Sequence, residues 1–136
     1  MGGRPVIVLD THTLVWWASG SDELSATAKS TIHRECNEGQ IVVSAISAWE
    51  IAMLVEREKL VLSMDVESWL DTVAQIEAIT FYPVDVDVSI KSVQLPGEFH
   101  KDPADRMIVA TARKLAVPLI TRDEKIRAYE HVRTIW

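Results

Sequence analysis

The stretch HKDPADRMIVATARKLAVPLITRDEK, residues 100–125, carries the pattern from which the rest of the chain is read. Asp102-Pro103-Ala104-Asp105 is a helix start: Asp102 suits the N-cap, and Pro103 suits the first helical position, where its missing N–H costs nothing. In the helix that follows, Asp105 shares a face with Ile108, Val109, Ala112 and Ala116, because residues three and four apart stack on one side. That face must pack inward and take a carboxylate with it. Pro118-Leu119-Ile120-Thr121 is short and apolar enough for a central strand, so Asp123 stands at the strand's carboxyl end. Two carboxylates therefore reach toward one sheet edge.

At the other end of the chain, the β-branched run Val6-Ile7-Val8-Leu9 reads as a buried strand and ends on Asp10. Between these two anchors the periodicity predicts helices over Thr11–Ala18 and from Ser25 to a stop at Asn37-Glu38-Gly39, then a strand at Ile41–Val43. A helix carrying Glu50 to about Glu58 follows, then an amphipathic helix over Met64–Ile79, a strand at Thr80–Tyr82 and a short helix over Val86–Val93. Leu95–Lys101, with Pro96-Gly97, is the longest loop and is placed to overhang a site, and Val132–Trp136 reads as a last edge strand. Strands alternating with helices imply an α/β fold: a mainly parallel sheet of about four to five strands with helices on both faces. The 136 residues fit one domain, 1–136, with no repeat or low-complexity linker.

No apolar run approaches the roughly 18 residues needed to span a bilayer, and Asp10 interrupts the N-terminal run too early for a signal peptide. Val6 stands where a myristoylation signal needs Ser or Thr. A single cysteine, Cys36, forms no internal disulfide, which fits a reducing compartment and a cytoplasmic location. The net charge of −6 argues at face value against a nucleic-acid partner. Acidic residues gathered around bound metal would be neutralised locally, however, and two divalent ions would bring the total to roughly −2. Lys101, Arg106, Arg113, Lys114, Arg122, Lys125 and Arg127 cluster around Asp105 and Asp123; the alternative to a substrate-facing role is a solvated helix face.

Each acidic candidate also has a local explanation. Asp10 suits the N-cap of the first helix, Asp102 that of the helix at Pro103, and Asp123 that of a last short helix through Arg127. Glu50 interrupts a mainly apolar stripe formed by Ile46, Met53 and Leu54; Ser47-Ala-Trp-Glu50 also fits a capping box, unless Ser44 starts the helix. The combination is more informative than any member. Three or four carboxylates at the strand ends of one parallel sheet would repel one another and resist ionisation unless cations were present. Oxygen ligands without His or Cys select magnesium or manganese over zinc, and such ions suit phosphoryl chemistry. His12, His33, His100 and His131 share no metal-ligand spacing and read as surface or turn residues, with His100 beside Lys101 able to touch a phosphate. The five tryptophans read as core or interface anchors.

Four segments in order, Val-Leu-Asp10-Thr-His-Thr-Leu-Val-Trp-Trp, Ser44-Ala-Ile-Ser-Ala-Trp-Glu50-Ile, His100-Lys-Asp-Pro-Ala-Asp105-Arg and Leu-Ile-Thr121-Arg-Asp123, span nearly the whole chain. Together they resemble the PIN-domain ribonucleases, specifically the VapC-type toxins of bacterial toxin–antitoxin pairs. The resemblance implies an endoribonuclease whose catalytic and metal-binding set falls on Asp10, Glu50, Asp105 and Asp123, holding Mg2+ or Mn2+, with Thr121 and Thr11 in support. It implies a metal-activated water as nucleophile; among the clustered cations, Lys101, Arg106 and Arg122 are the candidate RNA contacts. It also implies a homodimer, an antitoxin protein that lies across the site, and DNA association only through that antitoxin. Ala104 departs from the pattern where related sequences often carry an aromatic residue, and Met1–Arg4 reads as an extension before the usual start. Competing readings are a magnesium-dependent phosphohydrolase, against which His12 stands where Asp-x-Asp would be expected, and a noncatalytic module keeping only the fold. Relief of anionic repulsion predicts that Asp10→Ala raises the stability of the metal-free chain, unless a structural role of Asp10 dominates.

Overall fold

A computed structural model describes residues 5–136; the Met1–Arg4 extension lies outside the described residues. Five parallel strands form one sheet: β1 (Val6–Leu9), β2 (Gln40–Ser44), β3 (Ile79–Tyr82), β4 (Leu119–Ile120) and β5 (Thr134–Ile135), in the spatial order β3-β2-β1-β4-β5. The helices are α1 (Thr11–Ser19), α2 (Ala26–Glu38), α3 (Ala45–Glu56), α4 (Val66–Ala74), α5 (Val86–Val93), α6 (Pro103–Leu115) and α7 (Glu124–Arg127). The expected α/β architecture, parallel sheet and upper strand number are all present.

Alternation along the strands sends successive side chains to opposite faces, and the two cores follow from it. Ile7 and Leu9 of β1, Ile41 and Val43 of β2 and Ile120 of β4 meet Leu14, Ile32, Ile51, Trp69 and Val73 from α1 to α4. Val8, Val42 and Leu119 point the other way and meet Val88 of α5 and Ile108, Val109 and Ala112 of α6. Most of these side chains are fully buried, worth about 1.5–3 kcal/mol for each large aliphatic residue.

The strand order reverses at β1, with β2 paired on one side and β4 on the other. At such a switch point the connections leave toward opposite faces, and a crevice opens beyond the carboxyl ends of the two strands. Asp10 follows β1 and Asp123 follows β4, so both stand at that crevice.

Two expectations shift. The helix expected over Met64–Ile79 stops at Ala74, where the Gln75 N–H bonds back to Asp71 and Thr72, and Ile79 enters β3. Ile76 and Ile79 remain apolar because they pack on the sheet, which prolongs the periodicity beyond the helix. Ala116 does not share the inward face of α6: it is the exposed C-cap, left-handed at φ 57°.

Candidate active site

Asp10 is placed by the sheet itself. Its N–H donates to the Ile120 carbonyl at 3.1 Å, tying the end of β1 to β4, and its extended backbone makes it the N-cap of α1. Oδ1 accepts from the Thr11 N–H at 2.8 Å and Oδ2 from the Thr121 hydroxyl at 2.7 Å. The cap and the site carboxylate are thus one group. Thr121 Oγ1 in turn accepts from the Asp123 N–H at 3.1 Å, so one hydroxyl fixes both aspartates.

Asp123 caps α7, its Oδ1 accepting from the Lys125 and Ile126 N–H groups. Glu50 is not part of a capping box. Ser44 begins α3 and accepts from the Ile46 N–H at 3.2 Å, which leaves Glu50 in the helix interior. Ser47 instead meets the Thr11 hydroxyl at 2.8 Å and links α3 to α1. Asp102 caps α6 by accepting from the Asp105 N–H at 2.9 Å, as expected of Asp-Pro-Ala-Asp. Asp105 then projects from the first turn, its side chain 17% exposed, with Oδ2 lying 3.0 Å from His100 Nε2. That nitrogen makes no hydrogen bond, so the contact is one of proximity.

The electrostatics show that these carboxylates share one field. Burial, followed by the charges of Asp10, Asp102, Asp123 and Glu50, pushes Asp105 up to about 8. Burial raises Asp10 too, against the stabilising bonds from Thr121 and Thr11. Glu50 is raised by burial, opposed by the Thr11 hydroxyl and assisted by the charge of Asp10. Such uncompensated anions at a strand-end crevice are the charge pattern of a hard-cation site. The donor set, oxygen throughout, fits magnesium or manganese in kind. Among the described residues no three carboxylate, imidazole or thiol groups stand close enough to hold an ion as oriented.

A cavity of about 310 Å³ opens on the centre, lined by Asp10, His12, Thr13, Trp16, Arg122 and Asp123. Arg122 lies over the Trp16 ring, 4.4 Å from its centroid, and pairs with Glu23. Arg106 is differently used. Its Nε donates to the Ser92 carbonyl at 2.8 Å, and its terminal nitrogens donate to Phe99, His100 and Val93, so the guanidinium clamps the loop before α6. Lys101 is exposed at the end of that loop. Sequence reasoning passed over Ser47, His12 and Trp16 as site neighbours; their only signal was position, one helical turn before Glu50 or in the first two turns after Asp10.

The PIN domain family matches residues 7–132. This chain belongs to the PIN-domain family. Within that family the chain is 36% identical over 132 residues to Ribonuclease VapC22 of Mycobacterium tuberculosis, a match covering 96% of this chain and 98% of the relative. The PIN fold also superimposes on VapBC2 from Rickettsia felis bound to a promoter DNA fragment, with a TM-score of 0.70, 15% identity, and 96% and 97% of the two chains covered. A toxin–antitoxin complex from Klebsiella pneumoniae gives a TM-score of 0.67 at 20% identity, with 96% of each chain covered. At those identities the likeness is one of fold.

Proposed function

We propose that this chain, a VapC-type ribonuclease toxin by its family and its likeness to VapC22, hydrolyses RNA at the β1–β4 crevice, with Mg2+ or Mn2+ held by Asp10, Glu50, Asp105 and Asp123. What supports the reading is that Asp10, Glu50, Asp105 and Asp123 come from four segments around one switch point, and that burial, followed by the charges of its neighbours, raises Asp105. A divalent cation bound there supplies positive charge to a scissile phosphate and eases deprotonation of a water. The chain's own residues do the positioning. Thr121 fixes Asp10 relative to Asp123, while the Thr11–Ser47 hydroxyl pair ties α1, which follows Asp10, to the helix that carries Glu50. Arg106 holds the loop that brings His100 to Asp105. Lys101 and Arg122 supply cationic edges for the RNA backbone, as phosphate contacts require.

The acidic crevice suits an antitoxin segment bearing a cationic side chain, and DNA association belongs to the antitoxin. Homodimerisation has a candidate surface in α5, where Val86, Ile90 and Val93 are 76%, 50% and 76% exposed on one helical face. No helix among the described residues is long and apolar enough to cross a membrane, and a cytoplasmic location accords with the free Cys36.

The test is cleavage of a total RNA pool by antitoxin-free protein with magnesium, manganese or chelator, beside Asp105→Asn. Discrete metal-dependent fragments that vanish in the variant are expected. Equal cleavage in chelator, or by the variant, would contradict the reading.

A further inference from the structure

A second cavity, of about 400 Å³, lies beside the acidic centre, between the Gly97–His100 loop and the segment Lys125–His131. Its size falls in the roughly 300–1,000 Å³ range of small-ligand pockets. It shares walls with the site: His100 lines it while standing 3.0 Å from Asp105, and Lys125 lines it while its N–H binds Asp123. We infer that this recess is a nucleobase subsite, taking the base of a nucleotide next to the scissile phosphate; the inference rests on the ribonuclease reading above.

Three features support it. The wall is a contiguous run of rings, with His100 and Phe99 at 4.5 Å, Phe99 and Tyr129 at 4.7 Å, and Tyr129 and His131 at 5.3 Å between centroids. Aromatic surfaces bind unpaired bases by stacking, and His131, 37% exposed at the open end, offers such a surface. The wall is also held in place. Arg106 binds the Phe99 and His100 carbonyls, the Tyr129 hydroxyl donates to the Pro96 carbonyl, and Gly97, left-handed at φ 65°, brings the loop tip to His131. A preorganised recess loses less entropy on binding. Finally, the charge is wrong for phosphate. Glu98 and Glu130 outnumber Lys125 on the lining, so the recess favours an uncharged group with hydrogen-bond donors. Every nucleobase is such a group, with an exocyclic amino donor on adenine, cytosine and guanine and a ring N–H donor on uracil.

Two experiments separate the subsite from the reading beneath it. In the first, oligonucleotides carrying the cut site mapped in the RNA pool are varied to A, C, G, U or an abasic residue on each side of the scissile bond. At one of those positions, the abasic residue should raise KM about tenfold over the bases with kcat little changed, and His131→Ala should erase that difference. Equal KM for all five, or a preference that survives His131→Ala, would overturn the subsite. In the second, adenosine and uridine are titrated into full-length isotopically labelled protein. Shifts of the Gly97 and His131 amides with either nucleoside are expected. Absence of any adenosine-dependent shift there would overturn the subsite even if RNA is cut. Adenosine shifts without RNA cleavage would instead overturn the ribonuclease reading.

Discussion

Asp105→Asn in metal-free protein isolates the electrostatic cost of the centre. Burial and neighbouring carboxylates raise Asp105 from 3.8 to about 8 in the folded chain. An acid whose folded pKa is raised contributes stability that is present below its unfolded pKa and is lost as pH rises through the folded one. The metal-free protein should therefore weaken between about pH 4 and pH 8. At about 1.4 kcal/mol per pH unit that rise sets an upper limit near 6 kcal/mol, and solvent screening in a crevice open to water brings it to on the order of 2–3. Asparagine keeps the shape and removes the charge. In denaturant unfolding with chelator, Asp105→Asn should match wild type at about pH 4 and exceed it by that amount at about pH 9. Saturating magnesium should restore the wild type and leave the variant unmoved. A wild type equally stable at both pH values, or a variant weaker than wild type at the higher one, would refute the reasoning.

Thr121→Val removes the hydroxyl shared by Asp10 and Asp123 while keeping the shape; RNA cleavage or manganese affinity should fall about 10- to 100-fold with the circular-dichroism spectrum intact. Arg106→Lys cannot reproduce a planar guanidinium bonded to four carbonyls, so hydrogen exchange across residues 94–101 should quicken and stability should drop by about 1–3 kcal/mol. Undiminished protection there would show that the loop holds itself. Without metal, Asp10→Asn should melt above Asp10→Ala by an amount worth about 1–2 kcal/mol, because Asn retains an acceptor for the Thr11 N–H or the Thr121 hydroxyl. The stabilisation expected for Asp10→Ala from relief of repulsion thus belongs to Asn. Equal melting would mean that the capping bonds contribute nothing.

The parallel sheet and its polar edge were legible because the decisive signals are local. A β-branched run ending on Asp10 marks β1, a short apolar run shortly before Asp123 marks β4, and Asp102-Pro103 marks the start of α6 to the residue. The end of α4 was not, since Ile76 and Ile79 serve the sheet at spacings that also suit a helix. Local capping and the site turned out to be compatible: Asp10 and Asp123 each cap a helix, and the bland reading of each residue describes part of the same geometry. Contacts made by distant segments left no trace in spacing. The Thr11–Ser47 pair joins residues 36 apart, and Thr121 reaches Asp10 across 111. Arg106 read as a cation available to RNA because charge is visible in a sequence, whereas the four carbonyls that take up its donors belong to the end of α5 and to a loop whose path is not visible.

The most direct test of the central claim is the chemistry of the ends left on cut RNA. If the crevice directs water onto phosphorus, the bond to the 3′-oxygen breaks, that oxygen takes up a proton, and the fragments carry 5′-phosphate and 3′-hydroxyl ends. The account predicts those ends, in magnesium or manganese only, and cleavage that persists when the 2′-hydroxyl at the cut site is replaced by hydrogen. Fragments ending in 2′,3′-cyclic phosphate and formed equally well in chelator would contradict it, because the nucleophile would then be the RNA's own hydroxyl and the four carboxylates would have no part in the reaction.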